Sequence, residues 1–194
     1  MMLSENNSTP RSDEELQKNM VGKLNPHNAP ITLVEYDPCW RELFEREANR
    51  IRSVLGSKAL QIEHVGSTSV PGLYAKPIID MLLVVKDSAD ELSYVPALEA
   101  AGYILRIRES DWFEHRLFKG PDTDINLHVF SSGTSEIDRM LRFRDWLRSN
   151  ENDREKYAQV KRSLAKNKWR HIQHYADAKT SIVQEIMERA NAIK

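Results

Sequence analysis

The chain has 194 residues, 28 basic against 29 acidic for a formal net charge of −1, and a single cysteine, Cys39. That length suits one domain with a sizeable core, and the charge balance excludes a global polyanion-binding surface or an acidic tail. One thiol excludes both an intramolecular disulfide framework and a cysteine-based zinc site, so Cys39 reads as a buried structural thiol. No apolar run approaches the roughly 18 residues of a membrane span, and the N-terminus lacks the basic-then-apolar order of a signal peptide. A soluble, cytoplasmic protein with no membrane partner is expected.

Residues 1–30 are polar, carry Pro10, Pro26 and Pro30, and are expected to form a flexible extension outside the core. Within them Ser12 and Glu15 make a capping box, and Leu16, Met20 and Leu24 recur every four residues, which allows a short docking helix. The domain proper is placed at 31–194. Thr32 to Tyr36 resembles a strand, and Asp37-Pro38 reads as a helix start, with the carboxylate as cap and proline at the first position. Trp40, Phe44, Ala48, Ile51 and Leu55 continue an amphipathic helix that Gly56 ends. Ala59 to Val65 reads as a strand and Gly66 to Lys76 as a turn. Ile78 to Val85 is almost continuously apolar, which marks a central strand covered on both faces. Asp87, Ser88 and Asp90 open a helix through Leu92, Val95, Leu98 and Ala101, closed by Gly102. Tyr103 to Arg108 is a further strand. Trp112 to Lys119 and Asp124 to Phe130 flank Gly120-Pro121-Asp122-Thr123 and read as a β-hairpin. Beyond Ser135 the period turns helical, with stripes at Ile137 to Leu147, Tyr157 to Leu164 and Tyr175 to Ala190. The expected class is α+β: a mixed β-sheet with flanking helices and a C-terminal layer of three helices.

Chemistry concentrates around Gly66. A glycine lets backbone approach a ligand, Ser67, Thr68 and Ser69 offer hydroxyls, and successive N–H groups can form an anion nest. The alternative is an ordinary turn whose serines bond their own backbone. Lys76 is a point charge for phosphate or a solvated lysine; it does not follow glycine as in a Walker loop, and no Gly-x-Gly-x-x-Gly occurs. Asp80 interrupts the central apolar strand, and a buried carboxylate needs a partner. Mg²⁺ bound together with substrate phosphates is one, an interior arginine the other. Two-metal transfer wants a second carboxylate, but Leu82 stands where an Asp-x-Asp would place it.

On the candidate neighbouring strand the period of two puts Asp124, Asn126 and His128 on one face. Glu63 with His64, and His115 with Arg116, are adjacent polar pairs in strand-like runs, so one member of each faces a core or cleft. His171-x-x-His174 has helical metal spacing without the accompanying glutamate. Arg142, Arg144, Arg148, Lys161, Arg162, Lys166, Lys168 and Arg170 make a basic run, either a solvated helix surface, an extension of a phosphate site, or a face for RNA.

These stretches together resemble the GrpB family: Val34-Glu35-Tyr36-Asp37-Pro38-x-Trp40, Ile62 to Gly72 (IEHVGSTSVPG), Lys76-Pro77-Ile78-Ile79-Asp80, Asn126-Leu127-His128-Val129-Phe130 and Phe143-Arg144-Asp145-Trp146-Leu147-Arg148. The resemblance runs from about residue 32 to the C-terminus. It implies a nucleotidyltransferase-like fold of the polymerase β superfamily, in which a Gly-Ser turn holds a triphosphate and strand carboxylates hold Mg²⁺; similar domains occur fused to dephospho-CoA kinase. By that analogy Gly66 and Ser67 take the Gly-Ser position and Asp80 a metal position, aided by Glu63 or Asp124. Thr68, Ser69, Lys76, Glu63, His115, Arg116 and Asn126 complete the expected binding set, His128 joins Asp80 as a catalytic candidate, and His128 or His115 orients the acceptor. The expected function is binding of a nucleotide or phosphorylated small molecule with Mg²⁺-dependent nucleotidyl transfer. The alternative is a non-catalytic binding or chaperone-like partner domain that kept the fold.

Overall fold

The continuous apolar run at Ile79–Val85 forms the second strand of a five-stranded sheet in a computed structural model that describes residues 10–192. In chain order the elements are α1 (Asp13–Asn19), α2 (Cys39–Leu55), β1 (Gln61–Val65), β2 (Ile79–Val85), α3 (Val95–Ala100), β3 (Ile104–Glu109), β4 (His115–Lys119), β5 (Ile125–Ser131), α4 (Ser135–Ser149), α5 (Glu151–Ala165), α6 (Ile172–Asp177) and α7 (Thr180–Ala192). The spatial order is β1-β2-β5-β4-β3; β2 and β5 run parallel, and the other neighbours antiparallel. The α+β class with a mixed sheet and flanking helices is as expected.

Strand alternation sorts the two faces. Met81, Leu83, Val85, Leu127 and Val129 pack under Trp40, Phe44, Ile51 and Leu55 of α2 and Leu98 of α3. Each such fully buried side chain contributes about 1.5–3 kcal/mol. On the opposite face Leu82, Val84 and Phe130 meet Ile137 of α4. The register pairs Asp80 with Asn126 and Leu82 with His128, so the polar members of both strands emerge side by side on this second face.

Several elements differ from expectation. Residues 10–30 are docked rather than set apart. The Ser12–Glu15 capping box forms, Leu16 is buried, Met20 bridges to Ile107, and Ala29 to Trp169. Arg11 pairs with Asp177 at 2.8 Å, and Asp13 pairs with Arg170. Residues 1–9 of the expected extension lie outside the described residues. Thr32 to Tyr36 makes only an isolated bridge, Val34 with Ala75. The N-cap falls on Pro38, one residue beyond the expected Asp37, whose carboxylate accepts the Cys39 N–H at 2.8 Å from the residue before the cap. Cys39 itself is exposed, not buried: it occupies the solvent side of the first turn, while Trp40 takes the core side. The helix expected from Asp87 is a 3-10 turn at Glu91–Ser93 followed by α3, because Pro96 lacks the N–H that would continue an earlier helix; Leu92 is 88% exposed. The third C-terminal stripe divides at Ala178 and Lys179, giving four helices in place of three. No helix among the described residues is long and apolar enough to cross a membrane.

Candidate functional site

At the end of β1 the chain turns sharply. Gly66 has φ of 68°, and a Cβ there would lie 2.4 Å from Asp80 Oδ2, so both backbone shape and the closeness of the carboxylate require glycine. The 3-10 turn Ser67–Ser69 follows. The Ser69 hydroxyl donates back to the Gly66 carbonyl at 2.6 Å, and Thr68 Oγ1 lies 3.0 Å from His64 Nε2. Ser67 instead faces a cavity of about 780 Å³ between the polar end of the sheet, α5 to α7 and α1. Its hydroxyl accepts a 2.7 Å hydrogen bond from Lys161 Nζ of α5, which also donates to the Tyr74 carbonyl.

Three lysines line this cavity: Lys76 after the turn, Lys161 on α5 and Lys179 between α6 and α7. Among the described residues none of them forms a salt bridge. Lys161 is 2% exposed. Burial, reinforced by the positive charge of Lys179, brings it down to about 7. Burial likewise pushes Lys76 and Lys179 below the ordinary lysine value, with Lys179 adding its repulsion on Lys76. Between them stands Tyr175, whose ring centroid is 4.6 Å from Lys179 Nζ and 5.8 Å from Lys76 Nζ. Tyr175 is 1% exposed, and its hydroxyl has no hydrogen-bond partner among the described residues. Three cations without salt-bridge partners among the described residues line one space, which is the arrangement an anion completes.

The opposite wall comes from the sheet. Asp80, about 30% exposed at its side chain, accepts from Asn126 Nδ2 at 2.8 Å and lies 3.9 Å from His128 Nε2. Burial pushes its carboxyl up, but the nearby His128, the hydrogen bond of Asn126 and the charge of Lys76 outweigh that, leaving it below the usual carboxylate range. His128 Nδ1 is 3.0 Å from His115 Nε2, and His115 Nδ1 is 2.7 Å from Glu109 Oε2. Burial holds His115 below the ordinary histidine value against the pull of Glu109. The tautomers follow from the partners. Glu109 requires a proton on His115 Nδ1, so His115 Nε2 accepts from His128 Nδ1–H. That leaves the His128 Nε2 lone pair turned toward Asp80 and the cavity.

Of the residues expected at the site, Ser67, Thr68, Lys76, Asp80, His115, Asn126 and His128 line this one cavity, and Gly66 backs Asp80. Others are elsewhere. Glu63 shares the Asp80 face but is held by Arg144 at 2.8 Å. Arg116 lies on the opposite face, paired with Glu91 at 2.6 Å and Glu114 at 3.0 Å. Ser69 is turned inward on its own turn. Asp124 pairs with Lys119 at 2.9 Å. His64 stacks on Phe44 at 4.8 Å beneath α2, where burial lowers it to about 4. His171 is engaged by Asp13. Lys161 is the member of the basic run that lines the cavity; Arg144, Arg162 and Arg170 pair with acidic side chains, and Arg148 donates to the Ser69 carbonyl. Lys179, Glu109 and the Tyr175 hydroxyl were not anticipated. A signal for the lysines existed: Lys161 and Lys179 each follow a tyrosine by four residues and precede Leu164 or Ile182 by three, which places them on the apolar stripe.

A family model described as GrpB protein matches residues 30–189. The chain belongs to the GrpB family. It is 76% identical over 191 residues, 98% of each chain, to a UPF0157 protein of Halalkalibacterium halodurans. The crystal structure of conserved protein GrpB from Enterococcus faecalis is similar at TM-score 0.72 and 34% identity, covering 82% of this chain and 96% of that one. A dephospho-CoA kinase of Mycobacterium tuberculosis is 30% identical over 190 residues, 84% of this chain but 46% of that protein. A weak likeness, TM-score 0.41 at 13% identity, covers 68% of this chain and 45% of the Cid1 poly(U) polymerase with bound Mg and 3′-dATP.

Proposed function

We propose that this GrpB-family protein binds a polyphosphorylated small molecule, a nucleotide or phosphorylated metabolite, in the cavity beside Gly66 and Ser67. The observation that carries the reading is the set of three ammonium groups, Lys76, Lys161 and Lys179, facing one space without carboxylate partners among the described residues. Ammonium groups are strong donors to phosphate oxygens, and burial strengthens the attraction. Ser67 adds a neutral contact, while Asp80 and His128 Nε2 offer acceptors to donor groups on the rest of the ligand.

The donor set around Asp80 does not fit a two-metal nucleotidyltransferase centre. Leu82 fills the position two residues on, Asn126 occupies the neighbouring strand, and Glu63 and Asp124 are each held by a basic side chain. Among the described residues no three His, Cys, Asp or Glu side chains converge as a metal site. Binding without nucleotidyl transfer is therefore the favoured form of the function. Calorimetric titration with inorganic phosphate, inorganic tripolyphosphate and ATP tests it. Saturable binding that strengthens with phosphate number is expected, weakened at least about tenfold by Lys161→Met. No saturable binding of any of these probes would remove the proposal. Pyrophosphate release from ATP that Asp80→Ala abolishes would replace it with a transferase.

A further inference from the structure

We infer that the lysine cluster takes the place of divalent cations here, so that the polyphosphate binds as the metal-free anion and Mg²⁺ weakens its binding. The inference rests on the reading that the cavity takes a polyphosphate, and its first support is the distribution of charge. Arg11 and Arg139, the other cations in the lining, are neutralised by Asp177 and Glu136. The positive charge without a salt-bridge partner therefore resides on Lys76, Lys161 and Lys179; Asp80 is the carboxylate that acts on all three, while Asp177, already paired with Arg11, also reaches Lys179, and Asp124, paired with Lys119, reaches Lys76. A dication placed beside Asp80 would face those ammonium groups across the same space, with like-charge repulsion and little solvent screening.

The second support is how Asp80 is already used. Oδ1 accepts the Asn126 amide N–H at 2.8 Å, so Asn126 turns its donor, not its carbonyl, toward the position of a metal. Oδ2 is pressed against Gly66, where a Cβ would meet it at 2.4 Å. His128 Nε2, at 3.9 Å, is a nitrogen, and Mg²⁺ prefers oxygen ligands. The third support is the tie between lysine and turn. Lys161 Nζ is fixed on Ser67 Oγ at 2.7 Å, which sets an ammonium group at the place where the Gly-Ser turn would present its phosphate. Lysine is suited to this as a compact point charge with three donors.

The test is calorimetry of the full chain with inorganic tripolyphosphate and with ATP, each in EDTA and in excess MgCl₂. Binding in EDTA at least as tight as in MgCl₂ is expected, with Mg²⁺ lowering the affinity about tenfold by neutralising ligand charge. Asp80→Asn, which removes a negative charge from the cavity but keeps its shape, should bind tripolyphosphate more tightly in EDTA, by about threefold or more. Binding that appears only with Mg²⁺, and is lost in Asp80→Asn, would overturn this inference and leave the proposed phosphate site standing. Absence of binding under both conditions would overturn the proposed function and this inference with it. Circular dichroism of Asp80→Asn against the parent separates a binding change from misfolding, because a folded variant whose affinity in EDTA does not rise counts against the inference.

Discussion

Two buried charges on opposite sides of the sheet are treated in opposite ways. Glu47 of α2 is 0% exposed, and its two oxygens accept from the Thr123 hydroxyl at 2.9 Å and the Tyr103 hydroxyl at 2.8 Å, with Arg50 3.4 Å away. Burial and the neighbouring Glu47 carboxylate together push the Tyr103 hydroxyl well above its ordinary value. Every polar atom in that cluster has its partner, and the cluster ties α2 to the β4–β5 turn. Lys161 is as deeply placed, yet its contacts are neutral oxygens and its charged neighbours include further lysines. A closed network holds a fold together; an open one waits for a charge from outside.

The largest expected effect breaks the closed side. Glu47→Ala removes the acceptor for Tyr103 and Thr123 while Arg50 keeps its pair with Asp122, at a cost of about 1–3 kcal/mol for each buried hydroxyl left unpaired, read in urea unfolding. Tripolyphosphate affinity of the folded fraction should not change. Lys161→Met should do the reverse, keeping the urea midpoint or raising it while binding collapses. A Lys161→Met protein destabilised as much as Glu47→Ala would make the lysine structural and end the contrast.

Gly66→Ala comes next. A side chain at φ of 68° is strained, and its Cβ would collide with Asp80 Oδ2, so a loss of about 1–3 kcal/mol is expected. Combining it with Asp80→Gly should restore part of that loss, a coupling of about 0.5–3 kcal/mol measurable in a double-mutant cycle. Additive losses would mean that Asp80 does not lie against the turn.

Much of this contrast was readable beforehand and some was not. The α2 stripe, the apolar β2 run, the β4–β5 hairpin and the grouping of Asn126 with His128 all follow from period and turn chemistry. Which member of each adjacent polar pair faces the cavity depends on register. Glu63 opposite Leu82 and His115 opposite Glu109 are placed by strand pairing, and no local pattern sets that. The docking of residues 10–30 rests on pairs such as Arg11 with Asp177, 166 positions apart. Glu47 and Lys161 both look like solvated helix charges in sequence; only their spacing to Phe44, Ile51, Tyr157 and Leu164 puts them on buried stripes.

The lysine side also predicts a pH dependence with a definite sign. Folded Lys161 titrates at about 7, whereas an unfolded lysine holds its proton to about 10.4. Between those values the unfolded chain binds more protons, so this residue makes the free protein more stable as pH rises. Polyphosphate binding prefers the charged form, so affinity falls as pH rises above about 7, at most about tenfold per pH unit for one proton. Lys161→Met should flatten that part of both profiles; slopes identical to the parent's would place the titrating group elsewhere.

The smallest expected effect concerns the acceptor side of the cavity. His115 Nε2 holds the proton on His128 Nδ1, and Glu109 in turn holds His115 in that tautomer. His115→Phe keeps a flat ring against Phe130, where the two rings now stack at 4.8 Å, but removes the acceptor. Long-range nitrogen–proton NMR correlations of His128 should then shift from the Nδ1–H form toward Nε2–H. With a donor now turned at Asp80, the two groups satisfy each other and offer less to a ligand. Tripolyphosphate, which the lysines hold, should change affinity by less than about threefold, while ATP, whose nucleoside carries donor groups, should lose more. Equal losses for both probes would mean that the histidine pair acts on the phosphate end, and that the division of the cavity into a cationic wall and an acceptor wall is wrong.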